Sequence, residues 1–186
     1  WLYIKDDNFI QQGKEQCKEN YRHIFHKGSN ETISTGGKPL LQSPGVWLDG
    51  NNNKINIVMN TYYSPYERCD VGNIPINKWF NLTVMLIGNS LDVYINCNLK
   101  KRCRLNGVPK LNFDDLWITS KGGFSGFKSR FRYFNYAIEP YKVSQICKMG
   151  PGTKPPVVED DIPPYLADDY WTTTGFPVVG GFPEPN

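Results

Sequence analysis

Histidine is scarce in this 186-residue chain: His23 and His26 are the only two. Three apart on a strand, with side chains alternating between faces, they point to opposite sides and cannot share a metal. A nucleophile–histidine–carboxylate triad would have to use one of them, and nothing in the sequence pairs either with a serine or a cysteine. No apolar run approaches the roughly 20 residues that cross a bilayer as a helix, and no signal peptide opens the chain. An excess of one charge is also missing. The net charge is +3, too weak to argue for nucleic acid as a partner. Cysteine numbers 5, an odd count (Cys17, Cys69, Cys97, Cys103 and Cys147) without a CxxC pair, so the clustered ligands of a zinc site are lacking. Such a set fits reduced, mostly buried thiols better than a disulfide framework. Cys97 and Cys103, which flank a predicted turn, are the pair with a chance to meet.

What the sequence does hold is β-structure. Residues 79–105 organise it. The stretch 79–87 is rich in β-branched, aromatic and aliphatic residues, Gly88-Asn89 punctuates it, and 91–95 alternates so that Leu91, Val93 and Ile95 share one face. This is a hairpin signal, with the first strand nearly fully buried and the second half-buried. Residues 1–5, 21–27, 45–48, 54–61, 68–71 and 115–119 read as further strands. Residues 124–137 read as one more, with Phe127, Phe131 and Tyr133 on an aromatic core face. Pro140 and the Gly150-Pro151 pair bracket a short helix whose Val143, Ile146 and Cys147 would face the sheet. Because residues 1–5 read as the middle of a strand, an upstream segment is expected, and membrane contact would have to come through it.

The tail, 151–186, differs in kind from the body, 1–150. It holds 8 of the 14 prolines and sets one lysine against six acidic residues, a net of −5 that leaves +8 for the body. Proline favours extended chain, so this is no second core domain. Tyr165, Tyr170, Trp171, Phe176 and Phe182 are spaced along it as expected partner-binding residues of an arm that orders by docking.

Motifs with chemistry are few. Asp49-x-Asn51-x-Asn53 mimics the start of a calcium loop, but position six is Lys54 and position twelve is Asn60, so a hairpin turn explains it better. Asp92 stands alone in its strand, and Asp114 and Asp115 point to opposite faces; solvated carboxylates are the simpler reading. Lys100, Lys101, Arg102 and Arg104 form a basic patch that reads first as a guarded edge strand, and otherwise as a phosphate or membrane-surface contact or a dock for acidic groups. Asn30 and Asn81 carry glycosylation sequons, but Asn81 lies in a predicted core strand and is a poor acceptor.

Three stretches carry a family likeness: Ile-Pro-Ile-Asn-Lys-Trp-Phe at 74–80, the 91–96 strand with its tight turn, and Gly-Phe-Ser-Gly-Phe-Lys at 123–128 followed by Arg-Tyr-Phe-Asn-Tyr-Ala and a helix. Over roughly the first 150 residues the chain resembles concanavalin A-like, laminin-G-like jelly-roll domains. The stretches around 23–28 and 106–110 are similar to those encoded by large double-stranded DNA viruses. Cys97 stands where the family commonly has glycine. The resemblance implies an all-β fold, a two-sheet antiparallel β-sandwich with a short C-terminal helix, here followed by the extended arm. Glucanases on this fold are similar to one another in a Glu-x-Asp-x-x-Glu strand that pairs their carboxylates, and this chain has none, so no catalytic residue, metal or cofactor is expected. The reading that follows is a structural virion protein, a minor capsid component of a large DNA virus, with other capsid proteins as partners. The alternative is a carbohydrate-binding or adhesion module of the lectin-like sandwich type, extracellular or on a cell surface, with glycan as ligand.

Overall fold

The structure is a computed structural model, and it describes residues 1–8, 21–29, 39–120 and 122–152. Two compact units divide the chain, Trp1–Pro151 and Gly152–Asn186. The first is described below; the arm, with Tyr165, Tyr170, Trp171, Phe176 and Phe182, lies outside the described residues, as do Cys17 and Asn30. Eleven strands are described: β1 (Leu2–Ile4), β2 (Tyr21–Lys27), β3 (Gly45–Asp49), β4 (Lys54–Met59), β5 (Glu67–Gly72), β6 (Trp79–Phe80), β7 (Leu82–Ile87), β8 (Ser90–Ile95), β9 (Asn98–Arg104), β10 (Leu116–Ile118) and β11 (Gly126–Lys128). One helix, α1 (Pro140–Lys148), follows them. Every pairing is antiparallel, in the orders β11-β1-β6, β10-β2-β3-β4-β5 and β7-β8-β9.

The all-β sandwich expected from the sequence is the fold observed. Alternation builds its core. Val46 and Leu48 of β3, Ile55 and Ile57 of β4 and Val71 of β5 lie in one buried cluster with Leu91, Val93 and Ile95 of β8 and with Leu2, Ile4 and Phe80. Alternate residues of a strand share a face, so each strand contributes every second side chain to that cluster. Asn81 separates β6 from β7 and is buried. Its backbone N–H donates to Asn96 Oδ1 at 2.9 Å, and its carbonyl accepts from Asn96 N–H at 3.0 Å.

Burial in the central hairpin reverses the expectation. β8 is the strand buried on both faces, whereas β7 is only half-buried. The reason is position: β8 is central between β7 and β9, and β7 is an edge. The outward Tyr94 of β8 packs with Met85, Ile138 and Val143 in a second cluster beneath α1. The helix itself follows the proline signal, and Val143 and Cys147 are its buried residues. The stretch 124–137 forms only β11 and otherwise irregular chain. Phe127, Phe131 and Tyr133 are exposed rather than core residues. Gly122, Gly123, Gly126 and Arg130 all have positive φ, a left-handed backbone that breaks the pleat there.

The cysteines depart furthest from the sequence reading. Cys69 of β5 is bonded to Cys103 of β9, and Cys97 to Cys147 of α1. For these four, reduced thiols and a Cys97–Cys103 pair are both overturned, because partners 34 and 50 residues apart are joined by the stacking of sheets and helix. In the Ile95–Asn98 hairpin Asn96 and Cys97 have φ of 49° and 65°, the pair of left-handed residues of a tight two-residue turn. Cys97 therefore takes a left-handed backbone that favours glycine while its sulfur holds α1. Replacing both Cys69 and Cys103 with alanine is expected to cost about 3–4 kcal/mol, measured by chemical unfolding. A non-reducing peptide map should join Cys97 to Cys147; a Cys97–Cys103 peptide would refute the pairing.

Candidate functional site

The sheet β11-β1-β6 carries the most organised exposed side chains. Leu2 and Ile4 of β1 point into the core, so Tyr3 between them points out. In register with it stand Phe127 of β11 and Trp79 of β6. The three rings form one cluster, with Tyr3 centred 5.8 Å from Trp79 and 5.8 Å from Phe127, and Trp79 6.5 Å from Phe127. Lys5 Nζ lies 5.3 Å from the centre of the Phe127 ring. Phe127 is 56% exposed. Three cross-strand aromatics with a cation at their margin offer apolar ring surface beside a polar group, which suits a ligand that has both kinds of face.

The histidines meet, against expectation. A bulge in β2 between His23 and Phe25 breaks the alternation, so both rings lie on the same face. His23 Nε2 is 2.7 Å from His26 Nδ1, and both residues are at most 1% exposed. His26 Nε2 faces the Ser29 carbonyl at 3.1 Å, so it donates, and its Nδ1 accepts from His23 Nε2–H. His23 Nδ1 then accepts from Ser120 N–H at 2.9 Å, with Ser120 Oγ at 3.0 Å. A serine does reach His23, but the Ser120 N–H already occupies that nitrogen. His26 is backed by the Ser29 carbonyl, and both rings are buried. Trp47 packs on both rings, at 4.7 Å and 6.4 Å between centroids, and donates from Nε1 to Gln42 Oε1 at 2.8 Å. A Cβ on Gly45 would stand 2.1 Å from that oxygen, so only glycine lets Gln42 cross the strand.

Asp49 accepts from Asn51 N–H at 2.9 Å and from Asn52 N–H at 3.3 Å, while Asn53 is engaged with the Ile74 backbone. The calcium-like loop is thus a turn closed by its own carboxylate. Among the described residues no three metal-ligating side chains gather.

The basic patch is divided by the structure. Arg102 makes a two-pronged bond to Asp92, Nε to Oδ1 and Nη2 to Oδ2, both at 2.6 Å. Asp92, read as a solvated carboxylate, is fully buried; the covered outer face of β8 explains it. The hydrogen bond and the charge of Asp92 raise the Arg102 pKa. Lys101 donates to the Asp70 carbonyl at 2.8 Å. Lys100 and Arg104 stay exposed on the edge strand β9.

One buried carboxylate escaped the sequence reading. Glu67, at the start of β5, accepts from Thr61 Oγ1, from Asn106 N–H at 2.6 Å and from Gly107 N–H at 2.9 Å. It joins the turn after β4 to the turn after β9, on opposite sheets. Burial pushes its pKa up, but the bonds from Thr61, Asn106 and Gly107 outweigh that and hold it below the ordinary 4.5. No sequence motif signals this, since the three donors come from two separate loops.

No family model matches the chain, and no curated protein matches it. Several solved structures resemble it distantly, two of them as follows. One is the botulinum neurotoxin type G receptor-binding domain, with a TM-score of 0.42 and 17% identity over 69% of this chain. The match spans 32% of that domain's chain. The other is an S-layer domain-containing protein from Clostridium thermocellum ATCC 27405, with a TM-score of 0.30 and 13% identity over 75% of this chain and 69% of that one. Likenesses this distant do not bear on activity or ligand.

Because its folded pKa is lowered, the Glu67 carboxylate contributes stability above the ordinary value of 4.5, and that contribution is lost as pH falls through the folded value. Glu67→Gln is therefore expected to cost about 1–3 kcal/mol at neutral pH. The deficit relative to the wild type should shrink on acidification below about pH 4. Urea melts at several pH values measure it, and a deficit that stays constant or grows would refute the assignment.

Proposed function

We propose that this chain is a non-catalytic binding or adhesion module of the carbohydrate-recognising kind, working in an oxidising, extracellular or surface compartment. The outward-facing Tyr3–Trp79–Phe127 cluster, with Phe127 exposed and the other two rings half-buried, carries the reading. A pyranose has an apolar C–H face that packs on aromatic rings and an equatorial set of hydroxyls that needs polar partners, and the Lys5 ammonium beside Phe127 is one such partner. Two disulfides support the compartment, since such bonds persist where the medium is oxidising. The only buried histidines and the buried Asp92 are consumed by structure, which agrees with binding without turnover.

A second reading is the structural virion protein bound to capsid subunits. The turns between β4 and β5 and between β9 and β10 favour it, because Tyr62, Tyr63, Leu111 and Phe113 stand there 74–90% exposed, and apolar surface of this kind marks contact sites. Absence of the protein from purified virions would end that reading.

Calorimetry against hits from a glycan array tests the first. Trp79→Ala and Phe127→Ala should each weaken glycan binding about tenfold or more, with the unfolding midpoint little changed. A flat array, or affinity indifferent to both substitutions, would refute it.

A further inference from the structure

A cleft of about 420 Å³ lies along β7, the outer of the described strands in its sheet, bounded by β2 and by the chain from Lys128 to Ile138. That volume is in the range of small-molecule sites, roughly 300–1,000 Å³. Its floor is aliphatic, made by Ile24, Met59, Leu82, Val84 and Leu86. Its rim is cationic, with Lys110, Lys128, Arg130 and Arg132, and among the described residues none that lines it is Asp or Glu. Among the described residues these cations have no carboxylate partner. Arg130 Nη1 donates to the Met149 carbonyl at 3.3 Å, Arg132 Nη2 lies 3.5 Å from Met149 Sδ, and Lys110 Nζ sits 5.5 Å above the Tyr62 ring. Burial lowers the Lys128 pKa, and no neighbouring charge offsets it.

We propose that this cleft binds a single-chain amphipathic anion of the fatty-acid class, its hydrocarbon on the floor of Leu82, Val84 and Leu86 and its carboxylate at Arg130 and Arg132. Charge complementarity chooses the head: four cationic residues line the cleft and, among the described residues, no acid does, which favours an anion, and a guanidinium fork released from its Met149 contact matches a carboxylate two bonds at a time. The aliphatic floor chooses the tail. Sugar hydroxyls laid there would lose water without gaining partners, whereas methylene groups lose nothing. The site goes beyond the glycan reading and stands apart from it, since Tyr3, Trp79 and Phe127 do not line the cleft.

Titration of the isotopically labelled full chain with sodium decanoate, 1-decanol and sodium butanoate tests it, read by amide shifts and calorimetry. Decanoate should bind saturably and move the amides of 82–86 and 128–136. Decanol should bind about tenfold more weakly or worse, and butanoate should show no saturation up to about 1 mM. Arg130→Gln with Arg132→Gln, both on exposed side chains, should bring decanoate down to the level of decanol. Val84→Trp should remove both ligands by filling the floor, and Trp79→Ala should leave decanoate binding unchanged. Equal affinity for decanoate and decanol, shifts that map elsewhere, or no saturable decanoate binding in a folded wild-type chain would each overturn the proposal.

Discussion

Strand β8 has no face left for water, and the rest of the domain is arranged around that constraint. Inward, Leu91, Val93 and Ile95 fill the space between the sheets. Outward, Asp92 and Tyr94 are covered as well. A buried carboxylate is costly without a hydrogen-bonded countercharge, and Arg102, directly across the hairpin from Asp92, supplies one through two bonds. A buried ring needs a surface to lie against, and α1 with Met85 and Ile138 provides it. The two disulfides then anchor this hairpin on both sides, Cys103 to the opposite sheet and Cys97 to the helix.

The same arrangement leaves one strand short of cover. β7 is an edge, and the chain that passes beside it, 129–137, is irregular with exposed aromatic and basic side chains. A regular strand there would have put Phe127, Phe131 and Tyr133 into a core. The left-handed residues at 122, 123, 126 and 130 prevent it. The result is one segment with two surfaces: Phe127 turns outward to join Tyr3 and Trp79, while Lys128, Arg130 and Arg132 line a cleft against β7. The binding character proposed for the domain comes from this irregularity in an otherwise regular sandwich.

Much of the polar interior serves the fold. The histidine pair, Gln42, Glu67 and Asn81 are all buried; the first three sets bond to backbone or to one another, and Asn81 Oδ1 accepts from the Thr83 hydroxyl. Two of them tie segments remote in sequence: His23 reaches Ser120, and Glu67 joins the turns at 61 and 106–107. Groups of this kind look reactive in a sequence, but a closed set of hydrogen bonds and a lack of access make them structural.

Local pattern was enough to place the strands, apart from the long one expected over 124–137. Alternation in 54–59 and 91–95, Gly-Asn at 88–89 and Pro140 before a helix depend on backbone sterics and on the period of the side chains, and these do not need distant partners. The helix face carrying Val143 and Cys147 was legible for the same reason. Tertiary structure alone decided what lay opposite. A bulge of one residue in β2 reversed the relation of His23 to His26. The stacking of β5 on β9 paired Cys69 with Cys103, the helix claimed Cys97, and the cover over β8 turned Asp92 from a surface charge into a buried one. Period and turn chemistry are properties of neighbours along the chain, whereas burial, disulfide choice and the make-up of a cleft are properties of neighbours in space.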